Sequence, residues 1–276
     1  MRRRFAKSQV ILHVILLFSC IISIYPIFWT LTASLKKDSE IFSNSSILLK
    51  IPVFSNYSVA WTKAGLQPAF INSVIVSAWT VALVIIVSLL SSYIISTKKN
   101  KITKLVYGIF LISIMIPPDV MFVSMYLQLR NYNLINNFWG IILPSVAMGI
   151  PTSVFILVNF INGIPKSLID SAVIDGSGRF RILWAIITPL TKAAIGSVAV
   201  FQFTGIWNSY MLPLVILRKD NLMLLPQKLS RFIGQYTIQY SQLFAGIMIT
   251  FFPVVVFFIL FQKSFFQGTT MGAVKE

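Results

Sequence analysis

The chain has 276 residues, 57% of them hydrophobic and only 11% charged, against about 25% charged in a typical soluble domain. That excludes an ordinary water-soluble fold and makes membrane lipid the solvent in which this much apolar surface is stable. The formal charge of +16 does not point to nucleic acid, because the Lys and Arg residues gather at the ends of apolar runs and not along one stripe.

A spanning helix needs about 20 apolar residues, since the hydrocarbon layer is about 30 Å thick and each residue rises about 1.5 Å. Six stretches qualify: 10–31, 70–96, 105–127, 138–161, 193–217 and 243–261. The first follows Arg2, Arg3 and Arg4, yet its apolar run is too long for a signal-peptide core, so it reads as a retained signal anchor. It contains Cys20, whose lack of a second cysteine excludes an intramolecular disulfide.

The third stretch contains Pro117-Pro118 followed by Asp119. An acid at membrane depth is a functional candidate. Asp119 either caps the helix segment that resumes after the proline break or lines and gates a path.

Between the fourth and fifth stretches lies a polar hairpin, 165–189. Pro165 suits a first helical position. Leu168 with Ala172, and Ile169 with Val173, then form an apolar face at i, i+4 spacing, with Lys166, Ser167, Asp170 and Ser171 on the other side. Gly176 is placed to end this helix in the left-handed C′ conformation, after Asp175. Ser177 suits the cap of a second helix, whose apolar residues Phe180, Leu183, Trp184 and Ile187 lead to Pro189. Read alone, the hairpin is either an interfacial amphipathic element or a docking element for a partner.

In the fifth stretch, Trp207-Asn208-Ser209-Tyr210 combines aromatic rings with amide and hydroxyl groups. That pattern suits either helix packing or contact with a sugar along a translocation path.

Six spans put both ends of the chain on one side. That side carries fourteen basic residues (Arg2, Arg3, Arg4, Lys7; Lys98, Lys99, Lys101, Lys104; Lys166, Arg179, Arg181, Lys192; Lys263, Lys275). The other carries nine (Lys36, Lys37, Lys50, Lys63; Arg130; Arg218, Lys219, Lys228, Arg231). The bias predicts cytoplasmic termini and a cytoplasmic hairpin.

Some chemistry is missing. No Gly-x-x-x-x-Gly-Lys-Ser/Thr sequence is present to cradle nucleotide phosphates. His13 is the lone histidine, no cluster has metal-ligand spacing, and no nucleophile–base set marks an enzyme.

The hairpin closely resembles the cytoplasmic EAA loop of permease subunits of ATP-binding-cassette (ABC) importers. The pattern Glu-Ala-Ala, three residues, Gly, nine residues, Ile-x-Leu-Pro falls on Asp170, Ser171, Ala172, Gly176, Ile186 and Pro189. Asp170 replaces Glu, Ser171 replaces Ala and Thr188 replaces Leu. The tail, with Gly268, Gly272 and Lys275, resembles the end of carbohydrate-importer permeases of the second maltose-type subunit. So does the stretch beginning Pro26-Ile-Phe-Trp.

The resemblance implies an all-α membrane protein of six transmembrane helices, a single domain over 1–276 in a bacterial-type plasma (inner) membrane, with a coupling-helix hairpin between helices 4 and 5. It implies a non-catalytic permease subunit of a binding-protein-dependent sugar importer. The implied partners are a second homologous permease, a dimer of ABC ATPases that holds the ATP and Mg, and an extracellular solute-binding protein. Leu168, Ile169, Asp170 and their neighbours to Gly176 would dock on the ATPase, and the tail would reach toward it. An ABC permease for another solute, such as a glycerophosphodiester or a polyol, is an alternative, and so is a self-sufficient secondary transporter.

Overall fold

The computed structural model describes residues 2–43, 51–234 and 238–270. It is built from helices; the only strand-like pairing among the described residues is one bridge between Ile233 and Ile238. Four helices are long and apolar enough to cross a membrane unbroken: Gln9–Ser34 (within Arg2–Ser34), Leu66–Thr97, Trp139–Asn162 and Tyr240–Ser264 (within Tyr240–Thr270). These correspond to the first, second, fourth and sixth expected spans.

The other two are not single continuous helices; the sequence predicts a break in the third at Pro117-Pro118 but none in the fifth. The third is an elbow in which Lys101–Ile114 and Pro118–Asn131 meet at 95°. Pro117 and Pro118 explain the break, since neither has an N–H to continue the ladder and Pro118 pushes its predecessor into an extended conformation; Pro117 is extended, with φ −62° and ψ 127°. The elbow's first arm starts cleanly, because Asn100 and Thr103 form a reciprocal capping box. The fifth expected span, 193–217, ends early. Its helix is Lys192–Trp207, followed by a separate short helix, Met211–Ile216. A preceding segment, Arg179–Leu190, meets it at 77°.

The chain divides into two compact units. Met1–Gln67 with Lys228–Phe252 is one. In it the side chains from Val10 to Phe28 are almost all exposed, as suits a helix wetted by lipid. Its C-terminal end is closed by Asn56, whose Nδ2 donates to the Ser34 and Lys36 carbonyls at 2.9 and 2.8 Å. Asp38 accepts the Ser241 N–H at 2.7 Å, satisfying an orphan donor at the start of the Tyr240–Thr270 helix.

Pro68–Gln227 with Pro253–Glu276 is the other unit and holds the main apolar cluster. Small residues set its closest approaches. Gly149 lies against Gln202, whose Nε2 donates to Ser153 Oγ at 3.1 Å and to the Gly149 carbonyl at 3.3 Å. Gly196 lies against Ser264. At one end, Asn136 (φ 56°) accepts the backbone N–H groups of Arg218 and Lys219. Gln227 Nε2 donates to the carbonyls of Pro213 and Leu217. These bonds pin the 217–227 loop, whose backbone would otherwise need water.

Candidate functional site: the 165–189 hairpin

The hairpin begins with the helix Lys166–Ile174. Pro165 is its N-cap and not its first helical residue, with φ −56° and ψ 127°. The helix ends as expected at Gly176, whose φ is +75°. Ser177 N–H bonds the Ala172 carbonyl at 2.9 Å and Gly176 N–H bonds that of Val173 at 3.0 Å. That pair is the Schellman arrangement, which satisfies two orphan carbonyls at once. It also uses Ser177 for the turn, so the cap of the second helix falls to extended Gly178 with no side-chain bond. Sequence reasoning placed that cap one residue early.

The anchored face differs from the expected one. Ile169 and Ala172, at i, i+3, turn inward and join the apolar cluster with Tyr93, Leu157 and Ile161. Leu168 and Val173 are exposed by 47% and 58%, so neither i, i+4 pair is buried as a unit. Ile182, Leu183 and Ile187 supply the anchor from the second half, with Ile186 packed against the same cluster.

What remains exposed on the hairpin is a set of large apolar side chains, Leu168, Val173, Ile174, Phe180 and Trp184. Ile174 is 85% exposed and Phe180 70%. The Phe180 and Trp184 rings lie 6.1 Å apart. The hairpin's charged residues Asp170, Asp175, Lys166, Arg179 and Arg181 are all exposed as well. Exposed large apolar side chains gathered on one short polar hairpin mark a contact surface. Its strongest members, Ile174 and Phe180, carried no signal beyond being apolar. Ser171 spends its hydroxyl on the Ser167 carbonyl at 2.7 Å.

The hairpin is joined rigidly to the membrane helices. Leu183–Ile187 forms a wide π-type turn just before Pro189. Proline cannot donate to the carbonyl four residues back, and at the preceding residue Thr188 doubles its hold on the turn, its N–H and its Oγ1 (2.8 Å) both donating to the Leu183 carbonyl. Thr191, fully buried at the 77° bend, donates to the Ile187 carbonyl at 2.8 Å. Thr188, where the EAA pattern has Leu, therefore braces the turn that aims the hairpin.

The remaining candidates do not converge with it. Asp119 is exposed in the 3₁₀ turn Pro118–Met121 and makes no capping bond. Trp207 is 1% exposed; Phe203 stacks on it at 5.3 Å and Phe70 meets it edge-on at 5.7 Å. Asn208 donates to the Thr204 carbonyl at 3.0 Å and closes that helix. Tyr210 is half-buried at the start of the next helix. Gly268 lies in the last turns of Tyr240–Thr270, and Gly272 and Lys275 lie outside the described residues. No three His, Cys, Asp or Glu side chains among the described residues could share a metal ion.

Residues 88–270 match the family described as binding-protein-dependent transport system inner membrane component. The chain is 31% identical to the diacetylchitobiose uptake system permease protein NgcG of Streptomyces coelicolor, over 99% of this chain and 90% of that protein. It is 30% identical to the arabinooligosaccharides transport system permease protein AraQ of Bacillus subtilis, over 99% of this chain and 98% of that one. Its fold matches a chain of a bacterial ABC transporter involved in alginate import with a TM-score of 0.82, at 19% identity, covering 92% and 95% of the two chains. The chain belongs to the binding-protein-dependent transport system inner membrane components, the permease subunits of ABC importers.

Proposed function

We propose that this permease subunit serves an ATP-driven importer of oligosaccharides and that the 165–189 hairpin is its coupling element. The observation that carries the reading is the exposure of the apolar side chains Leu168, Val173, Ile174, Phe180 and Trp184 on a hairpin anchored in the apolar cluster by Ile169, Ala172, Ile182, Leu183 and Ile187. A surface so anchored transmits force in both directions. The sugar assignment is supported by the uptake systems for which NgcG and AraQ are named.

In this reading the chain is one membrane domain of six crossings, the third of them bent, with both termini and the hairpin in the cytoplasm. It binds no cofactor itself. A second homologous permease completes the path, a pair of ATPase subunits carries ATP and Mg, and a solute-binding protein delivers sugar from outside. ATP-driven closure of the ATPase pair drags the Lys166–Ile174 helix. The Thr188–Thr191 brace passes that movement to the Lys192–Trp207 helix, and the path turns outward. Hydrolysis resets it.

Reconstitution tests the proposal. The purified chain alone is expected to hydrolyse no ATP above background. Adding the partner permease and the ATPase should give hydrolysis that rises with sugar-loaded binding protein. Robust hydrolysis by the isolated chain would overturn the reading.

A further inference from the structure

The elbow at Pro117 and Pro118 leaves a wedge that a straight helix would have filled. Its two arms and the Trp139–Asn162 helix flank an open cleft of about 690 Å³ at which Gln128 and Tyr132 are exposed, within the range of about 300–1,000 Å³ usual for small-molecule sites. The wall is apolar in bulk but carries the Phe110 and Tyr132 rings, the Gln128 amide and the Thr152 hydroxyl. Pro144 and Pro151 also stand in this wall, inside the helix. Lacking an N–H, they leave the Gly140 and Ala147 carbonyls without their helical donors, and Ala147 itself lines the cavity. Unsatisfied backbone in a membrane is tolerated where it faces a polar cavity.

A second cleft gives the contrast. It measures about 440 Å³ and is lined by Val74, Ala78, Phe203, Trp207 and Phe257 among others, with the Ser77 hydroxyl and the Trp207 indole N–H its only polar side-chain groups. That cleft suits hydrocarbon. The elbow cavity, with donors and acceptors spread through an apolar wall, suits a guest that is itself two-faced.

We propose that the elbow cavity is a sugar-ring subsite of this subunit. A glycosyl ring would lay its C–H face on Tyr132 or Phe110. Its hydroxyls would bond Gln128, which can donate and accept, together with Tyr132 Oη, Thr152 Oγ1 and the Ala147 carbonyl. The proposal rests on the oligosaccharide reading above and assigns to that reading residues other than Trp207, Asn208 and Tyr210.

The test uses the assembled importer with its partner permease, ATPase and binding protein, in a Cys20→Ser background. Uptake of diacetylchitobiose, arabinotriose and maltotriose by this parent identifies a transported sugar. A parent that takes up no sugar overturns the import reading and the subsite with it, and that failure shows before any cavity variant is made. With a transported sugar in hand, maleimide labelling of a Gln128→Cys variant should slow about threefold or more when sugar-loaded binding protein and ATP are added. Labelling of Asn131→Cys, outside the cavity on the same helix, should not change. Equal labelling at position 128 with and without sugar would overturn the subsite. So would complete protection without sugar, which would show a partner helix filling the cavity. As a second measurement, Gln128→Leu and Tyr132→Ala should raise the uptake KM about tenfold with Vmax changed less than about twofold, and Tyr132→Phe should recover part of the loss. An unchanged KM in both would equally sink the proposal.

Discussion

Single positions in the hairpin have separable jobs. Gly176 is constrained by its backbone and not by crowding, since a Cβ there would meet nothing within 4 Å but φ is +75°. A β-branched side chain at this φ costs on the order of 1–2 kcal/mol, and the cheapest relief is to re-aim the short helix. Gly176→Val is therefore expected to insert in the membrane and pair with the partner permease normally. Sugar uptake and stimulation of the ATPase by the binding protein should fall together. Asp170 is exposed on the same hairpin. Asp170→Lys should weaken ATPase binding in co-purification, with a salt dependence that marks the defect as electrostatic. If both variants couple normally, the hairpin is not the coupling element. Gly176 was legible in the sequence because one residue type alone reaches that backbone region cheaply. The buried side of the helix was not: both i, i+4 pairs look alike until the fold buries Ala172 and packs Ile169 against the apolar cluster.

At the level of elements, four spans follow from apolar length alone, while the third and fifth are reshaped by residues that were visible but unquantifiable. Pro117-Pro118 announces a break, yet nothing local in the sequence specifies 95°; that angle depends on what the arms pack against. Close helix contacts were equally hidden, because a glycine in a span looks the same wherever it points. At Gly196 a Cβ would stand 2.4 Å from Ser264 Cβ, and Ser197 Oγ donates to the Ser264 carbonyl at 3.3 Å. The helices Lys192–Trp207 and Tyr240–Thr270 can approach this far only without a side chain at 196. Gly196→Leu should separate them, at a cost of about 1–3 kcal/mol for overpacking. Gly108→Leu has open space around its Cβ and should be close to neutral. Thermal midpoints of the two variants in detergent check this directly, and equal midpoints would refute the close contact.

For the whole molecule, the arrangement in the membrane decides whether the hairpin can meet an ATPase at all. Lys and Arg flanking the spans favour the cytoplasmic side, and the side holding the hairpin has fourteen of them against nine. Neither bend alters that inference if each bent pair crosses once, since a kinked crossing still delivers its ends to opposite faces. A re-entrant elbow would alter it, by returning Asn131 to the side of Lys101 and inverting everything after it. Cysteines introduced singly into a Cys20→Ser chain distinguish these arrangements with a membrane-impermeant maleimide. Ser55→Cys and Asn221→Cys should react in cells whose outer barriers have been opened. Thr97→Cys and Ser177→Cys should react only after the membrane itself is permeabilised. Thr97 precedes the elbow and Ser177 follows it, so the pair reports on the elbow as well as on orientation. Protection of Thr97→Cys with labelling of Ser177→Cys from outside would mean that the elbow turns back, leaving the hairpin on the wrong face of the membrane for any cytoplasmic partner.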